Sequence, residues 1–220
     1  MSGSHQKLTH GWRRFPIVTA TLAVIAMIAH AWSPLGDLLA YDRSALAAGE
    51  VWRALSGHLA HWNGDHLFWD VVMFLTLGVA IECRDRTGLA ISVLVAGLAI
   101  SATLWQWHPG IEQYRGLSGI DSTLFADAAV VWYVDARRSG RTIPATLILL
   151  SVFGFAAKIV YELITGSTGF VDASGAGFTP LASVHLVGGL MGALCASLLI
   201  SRQTSRLPLH SYAVCNSARR

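Results

Sequence analysis

Residues 181–201 read LASVHLVGGLMGALCASLLIS, an apolar run with a single histidine, His185, and no Asp, Glu, Lys or Arg. Such a run is long enough to cross a hydrocarbon core about 30 Å thick, which takes roughly 20 apolar residues. An imidazole inside it is costly unless it faces protein or trapped water. Five more stretches are predominantly apolar and of similar length, at approximately 15–32, 66–82, 88–107, 117–134 and 143–164. With 53% of its 220 residues hydrophobic and 13% charged, the chain is too apolar for an ordinary soluble domain. The expected fold is therefore all-α: a polytopic membrane bundle of six transmembrane helices over residues 15–201, between short tails at 1–14 and 202–220. There is no internal repeat, no low-complexity segment and no room for a second domain.

Positive charge orients the bundle, because loops rich in Lys and Arg tend to stay in the cytoplasm. With the amino terminus inside, the cytoplasmic segments hold Lys7, Arg13, Arg14, Arg84, Arg86, Arg137, Arg138, Arg141, Arg202, Arg206, Arg219 and Arg220, and the outer side holds Arg43, Arg53 and Arg115. Both termini are thus expected in the cytoplasm. The same placement explains the net charge of +3 without a nucleic-acid partner. Basic residues before the first apolar run, and Ala29, His30 and Ala31 after it, imitate a cleaved secretory signal. That run is long for a signal core, so an uncleaved first helix is expected. Cys83, Cys195 and Cys215 all fall on the reducing side, where a structural disulfide is not expected.

In this topology helices two, four and six begin on the outer side, and each carries polar residues in its first turns: His66 and Asp70, Ser118, and His185. Polar groups in lipid normally face the bundle interior or a water-filled cavity, so four at one depth imply one wet pocket. His66 and Asp70, four apart, share a helical face. Gly188 and Gly192 follow His185 at intervals that let a neighbouring helix approach closely. A serine hydroxyl is a weak nucleophile until a base takes its proton. Ser118 is accordingly the candidate nucleophile and His185 its base, with no cofactor and no metal. The developing oxyanion needs preorganised donors, each worth about 2.7–4 kcal/mol. Backbone N–H groups of Leu117 and Ser118, free at a helix start, and the imidazole of His66 are the candidates.

Other polar residues have plainer readings. Lys158 and Glu162 are four apart and expected to pair on one face, either as a neutralised structural pair or as a gate or substrate-docking feature, with Asp127 as a further partner for Lys158. Asp121 and Ser122 read as support for the helix start. Asp172, in the Gly-rich loop at 166–180, reads as a turn residue, in a loop whose glycines suit a mobile cap. His58, His61, His66 and Asp70 are competent zinc ligands, but no H-E-x-x-H helix accompanies them. The loop at 33–65, with Tyr41, Trp52 and Trp62, is expected to lie partly in the outer leaflet.

Over about residues 50–196 the chain resembles the rhomboid intramembrane serine proteases. Trp52 and Arg53 match the Trp-Arg pair of the long first loop, and His61 and His66 the His-rich start of helix two. Glu82 matches the acidic residue closing that helix, and Gly116, Leu117, Ser118 and Gly119 the G-x-S-G nucleophile motif. His185, Gly188 and Gly192 match H-x-x-G-x-x-x-G. The resemblance implies a Ser118–His185 dyad with Gly116, Leu117, His66 and the residue at 70 in supporting roles. Asp70 departs from the family's asparagine, since an ionised carboxylate repels an oxyanion. Either burial keeps Asp70 protonated, or it accepts a hydrogen bond from His66 and leaves donation to the histidine; we favour the second. The run from His66 to Asp70 and the compact length look most like the rhombosortase branch. That implies a bacterial inner-membrane enzyme with its site toward the periplasm, cutting membrane-anchored proteins at a Gly-rich carboxy-terminal anchor. A catalytically silent rhomboid-like protein that binds membrane helices is the alternative. A transporter would normally show repeat symmetry or a charged path, and neither is evident.

Overall fold

The computed structural model describes residues 15–167 and 181–205, with side chains up to Ser201. Asp172 and most of the Gly-rich loop, Cys215, and the basic residues of 1–14 and 206–220 lie outside the described residues. The chain runs through α1 (Ile17–Ala31), α2 (Ser33–Leu39), β1 (Tyr41–Asp42), α3 (Arg43–Ala47), α4 (Arg53–Ser56) and a 3-10 turn (Gly57–Leu59). Then come α5 (Gly64–Arg84), α6 (Arg86–Trp107), β2 (Gln113–Tyr114), α7 (Ser118–Arg138), α8 (Thr142–Thr165) and α9 (Ala182–Ser205). A helix thus stands at each of the six expected positions. Four of them, α5, α6, α8 and α9, are long and apolar enough to cross a membrane, and α1 makes a fifth if joined to α2 across a bend of 119°.

Local chemistry sets the boundaries. Asn63 caps α5 by accepting from the His66 N–H at 2.8 Å. Asp85 ends α5 and caps α6 by accepting from the Gly88 N–H at 2.9 Å, so one side chain makes the turn between two long helices. α8 ends at Gly166, whose φ of 66° is the left-handed closure that glycine adopts without penalty.

α7 carries Asp121, Asp127 and Asp135 and is the most polar of the long helices, yet α5, α6, α8 and α9 all pack on it. Polar residues turn inward: Asp121, Ser122, Thr123 and Asp127 are buried, while Ile143, Phe153 and Ile164 of the peripheral α8 are exposed. This inside-out distribution suits lipid, where a polar side chain is tolerated only against protein or trapped water.

The first loop is a folded element. Tyr41 and Asp42 pair antiparallel with Tyr114 and Gln113, tying it to the residues just before Ser118. Arg43 caps the carboxy-terminal end of α6, donating to Leu104 O at 2.7 Å and His108 O at 2.9 Å while lying over the Trp105 ring. Arg53 donates to Asp37 O and Ala40 O, and Arg115 pairs with Asp37 at 2.8 Å. Arg43, Arg53 and Arg115 therefore build the loop, which their count in a charge balance does not reveal.

α7 and α9 run parallel in near-contact. A Cβ at Gly188 would land on the carbonyl oxygen of Gly119, and one at Gly192 on that of Thr123, one turn further along both helices. These two glycines set the distance between the helices carrying Ser118 and His185. Gly192→Leu should lower the thermal unfolding midpoint in detergent by the equivalent of about 1–3 kcal/mol or more, the cost of overpacking. Gly154→Ala, in open space on α8, should leave it unchanged or raise it by up to about 1 kcal/mol.

Candidate active site

Ser118 is the first residue of α7 and His185 lies in the first turn of α9. Their immediate neighbours touch, since a Cβ on Gly119 would meet the Val184 side chain at 2.6 Å. The helix starts are held from outside as well: Ser183 Oγ lies 2.9 Å from His108 Nε2, in the loop after α6. Among the described residues, the Ser118 hydroxyl and the His185 imidazole are not hydrogen-bonded to each other. The Ser118 side chain lies instead by the hydroxyl of the buried Tyr114, which donates to Gly116 O at 3.1 Å. Burial drives the Tyr114 phenol well above its ordinary pKa.

His185 is 6% exposed and its Nδ1 lies 2.7 Å from Glu162 Oε2. Glu162 is 3% exposed, and its other oxygen, Oε1, accepts from Lys158 Nζ at 2.6 Å. The Lys158–Glu162 pair stands as its spacing predicts, but the carboxylate also reaches across to α9. Lys158 Nζ is 3.3 Å from the same Nδ1. Asp127 is not part of this group: its Oδ2 accepts from Ser92 Oγ of α6 at 2.9 Å. The sequence reading that joined it to Lys158 is corrected, because α7 turns Asp127 toward α6.

At the start of α5, three donors meet one oxygen. Asp70 Oδ2 lies 3.1 Å from His61 Nε2 and 3.2 Å from His66 Nε2, and accepts the Leu117 N–H at 2.8 Å. Asp70 is therefore placed as an acceptor that fixes the residue before Ser118, with His66 Nε2 turned to it. This geometry corrects one oxyanion assignment. The Leu117 N–H is committed to Asp70, and the Gly116 N–H faces Gly57 O at 3.4 Å. What remains at this helix start is the Ser118 N–H, in the first turn where no carbonyl lies four residues back within the helix. Gly116 has its own reason to be glycine: φ is +135° and a Cβ would meet the His66 ring at 2.7 Å.

Three residues at the site carry more than the sequence reading gives them. Glu162 touches the candidate base. His61 shares Asp70, and Tyr114 lies against Ser118. Asp121, one turn into α7, is buried and its Oδ1 has no partner among the described residues. His58 turns away from Asp70, its Nε2 lying 3.1 Å from Gly97 O of α6 and its ring edge-on to Tyr114. Among the described residues no three His, Cys, Asp or Glu side chains are grouped to hold a metal ion.

Burial holds His58 and His61 below the ordinary imidazole value, outweighing for His61 the opposing pull of Asp70. A lowered histidine pKa means that the unfolded chain binds more protons below about pH 6.5, so stability falls as pH drops through that value toward the lower folded-state ones. The thermal midpoint in detergent should therefore drop between about pH 7.5 and about pH 5, and drop less in His58→Gln.

No protein-family model matches the chain and no curated protein does.

Proposed function

We propose that the chain is an intramembrane serine endopeptidase of the rhomboid type, most similar to the rhombosortase branch, in a bacterial inner membrane. The observation that carries this reading is the parallel α7–α9 contact, which sets Ser118 and His185 beside the touching pair Gly119 and Val184 at the starts of two packed helices. Six spans are the natural count if α1 continues into α2 and if α7, enclosed by its neighbours, needs little apolar surface of its own. The basic residues then place both termini in the cytoplasm and the site toward the periplasm.

In the reaction, His185 Nε2 takes the Ser118 hydroxyl proton as Oγ attacks the scissile carbonyl. The oxyanion meets the Ser118 N–H, and collapse of the tetrahedral adduct breaks the C–N bond as His185 returns the proton to the leaving amine. Water or another amine then takes the acyl group. Asp70, holding Leu117, aims the nucleophile's turn. The substrate is a membrane-anchored protein with a Gly-rich cut site before a carboxy-terminal helix and a basic tail. It would reach the site past α8, which leaves most of its surface to lipid. No nucleic acid, metal or cofactor enters.

One observation favours the second reading, a catalytically silent protein that binds membrane helices: Ser118 faces Tyr114 and is not hydrogen-bonded to His185. The two readings separate on co-expression with a reporter carrying a Gly-rich segment, one transmembrane helix and a basic tail. The protease reading expects cleavage that Ser118→Ala and His185→Ala each reduce by at least about a thousandfold, with the variants still folded. Wild-type and Ser118→Ala cells giving the same uncut reporter, and purified wild type failing to react with a fluorophosphonate, would support the silent relative.

A further inference from the structure

We propose that Glu162 is the positioning residue of a Ser118–His185–Glu162 triad, with Lys158 as the counter-charge that lets the carboxylate stay ionised in the bundle. This rests on the protease reading above and adds a third member to it.

The proton's location follows from the distances. Two bare acceptors do not sit 2.7 Å apart, so a hydrogen lies between His185 Nδ1 and Glu162 Oε2. Lys158 Nζ, 2.6 Å from the other carboxylate oxygen, favours the ionised glutamate, which puts that hydrogen on Nδ1. An imidazole protonated on Nδ1 and otherwise neutral has its lone pair on Nε2, the tautomer a general base needs. The ammonium at 3.3 Å from Nδ1 cannot donate to a nitrogen already bearing hydrogen. Its partner is therefore the carboxylate.

During acylation the Ser118 proton moves to Nε2, the Oγ–C bond forms, and His185 becomes an imidazolium whose Nδ1–H still donates to Glu162. When the C–N bond breaks, the Nε2 proton leaves with the amine and the tautomer is restored. Glu162 takes no proton at any step. It stabilises the imidazolium and keeps the ring from turning. An exposed ion pair would do neither, but Glu162 is nearly inaccessible, and it joins the gate-side helix α8 to the base on α9.

The rival account is a neutralised pair that only allows α8 to fold. The two are told apart with the full-length protein in detergent, by its inactivation with a fluorophosphonate, which needs the activated serine and no protein substrate. Glu162→Gln can present an amide N–H to Nδ1 and favour the opposite tautomer. It should lower the maximal inactivation rate by about 10²–10⁴-fold while leaving the half-saturating probe concentration unchanged, and Glu162→Asp should recover part of the loss. The double variant Lys158→Met/Glu162→Gln removes both charges, so a purely structural pair predicts wild-type labelling and the triad predicts labelling as slow as in Glu162→Gln. A wild-type rate in either variant overturns the inference, and so does unfolding of both, since the pair is then structural. Labelling abolished by Ser118→Ala but unaltered by Glu162→Gln would remove the triad alone. Labelling that survives Ser118→Ala, or none in wild type, would remove the protease reading with it.

Discussion

A carboxylate withdrawn from water must be met by donors within hydrogen-bond reach, because leaving a buried charge unpaired costs about 3–5 kcal/mol. Among the described residues, three such carboxylates tie the start of one helix to another helix of this bundle. Glu82, fully buried near the end of α5, accepts the Val18 and Thr19 N–H groups and the Thr19 hydroxyl at the start of α1, and pairs with Arg86. Asp70, near the other end of α5, accepts the Leu117 N–H at the start of α7. Glu162 of α8 meets His185 at the start of α9. In two of the three, acid and helix start satisfy each other: the helix brings N–H groups that would otherwise lack acceptors, and the acid brings charge of the sign that end favours.

This makes α5 the spine of the fold. Glu82 and Asp70 lie at opposite ends of it, and between them Gly78 lets α1 approach, since a Cβ there would meet Thr19 at 2.7 Å. The first loop completes the support. Arg43 holds it to the end of α6, and the β1–β2 pairing carries Tyr114 to the mouth of α7. Ser118 is thus aimed by Asp70 from below and by the Tyr114 strand from before it, while the glycines of α9 fix the lateral distance to His185.

The helices were legible because lipid imposes length and apolarity on any segment that crosses it, and that signal needs no partner. The meeting of His66 and Asp70 was legible from helical spacing, since residues four apart share a face. What the sequence concealed were contacts between segments. Lys158 satisfies one oxygen of Glu162 within a helix, so nothing local demanded a partner for the other. The clue was available in combination: His185 has two ring nitrogens, a base uses one, and a buried second one needs an acceptor. Leu117 was read as a free donor because helix-start N–H groups are free by default, and the side chain that claims it comes from 47 residues earlier. Asp127 could be matched to Lys158 only by sign of charge, which says nothing of the face it occupies.

The absent Ser118–His185 hydrogen bond bears on how the site would work rather than on where it lies. Gly119 and Val184, the chain neighbours of the two groups, are in contact, so the two helix starts already stand together. Catalytic hydrogen bonds are often long or poorly aligned until substrate is bound. Ser118 is half-buried, whereas the His185 ring is held by Glu162 at 2.7 Å. In the protease reading the more tightly held member of the pair is the base. On the proposed reading, Glu162 orients the base before substrate arrives, and the serine hydroxyl is what binding has left to set.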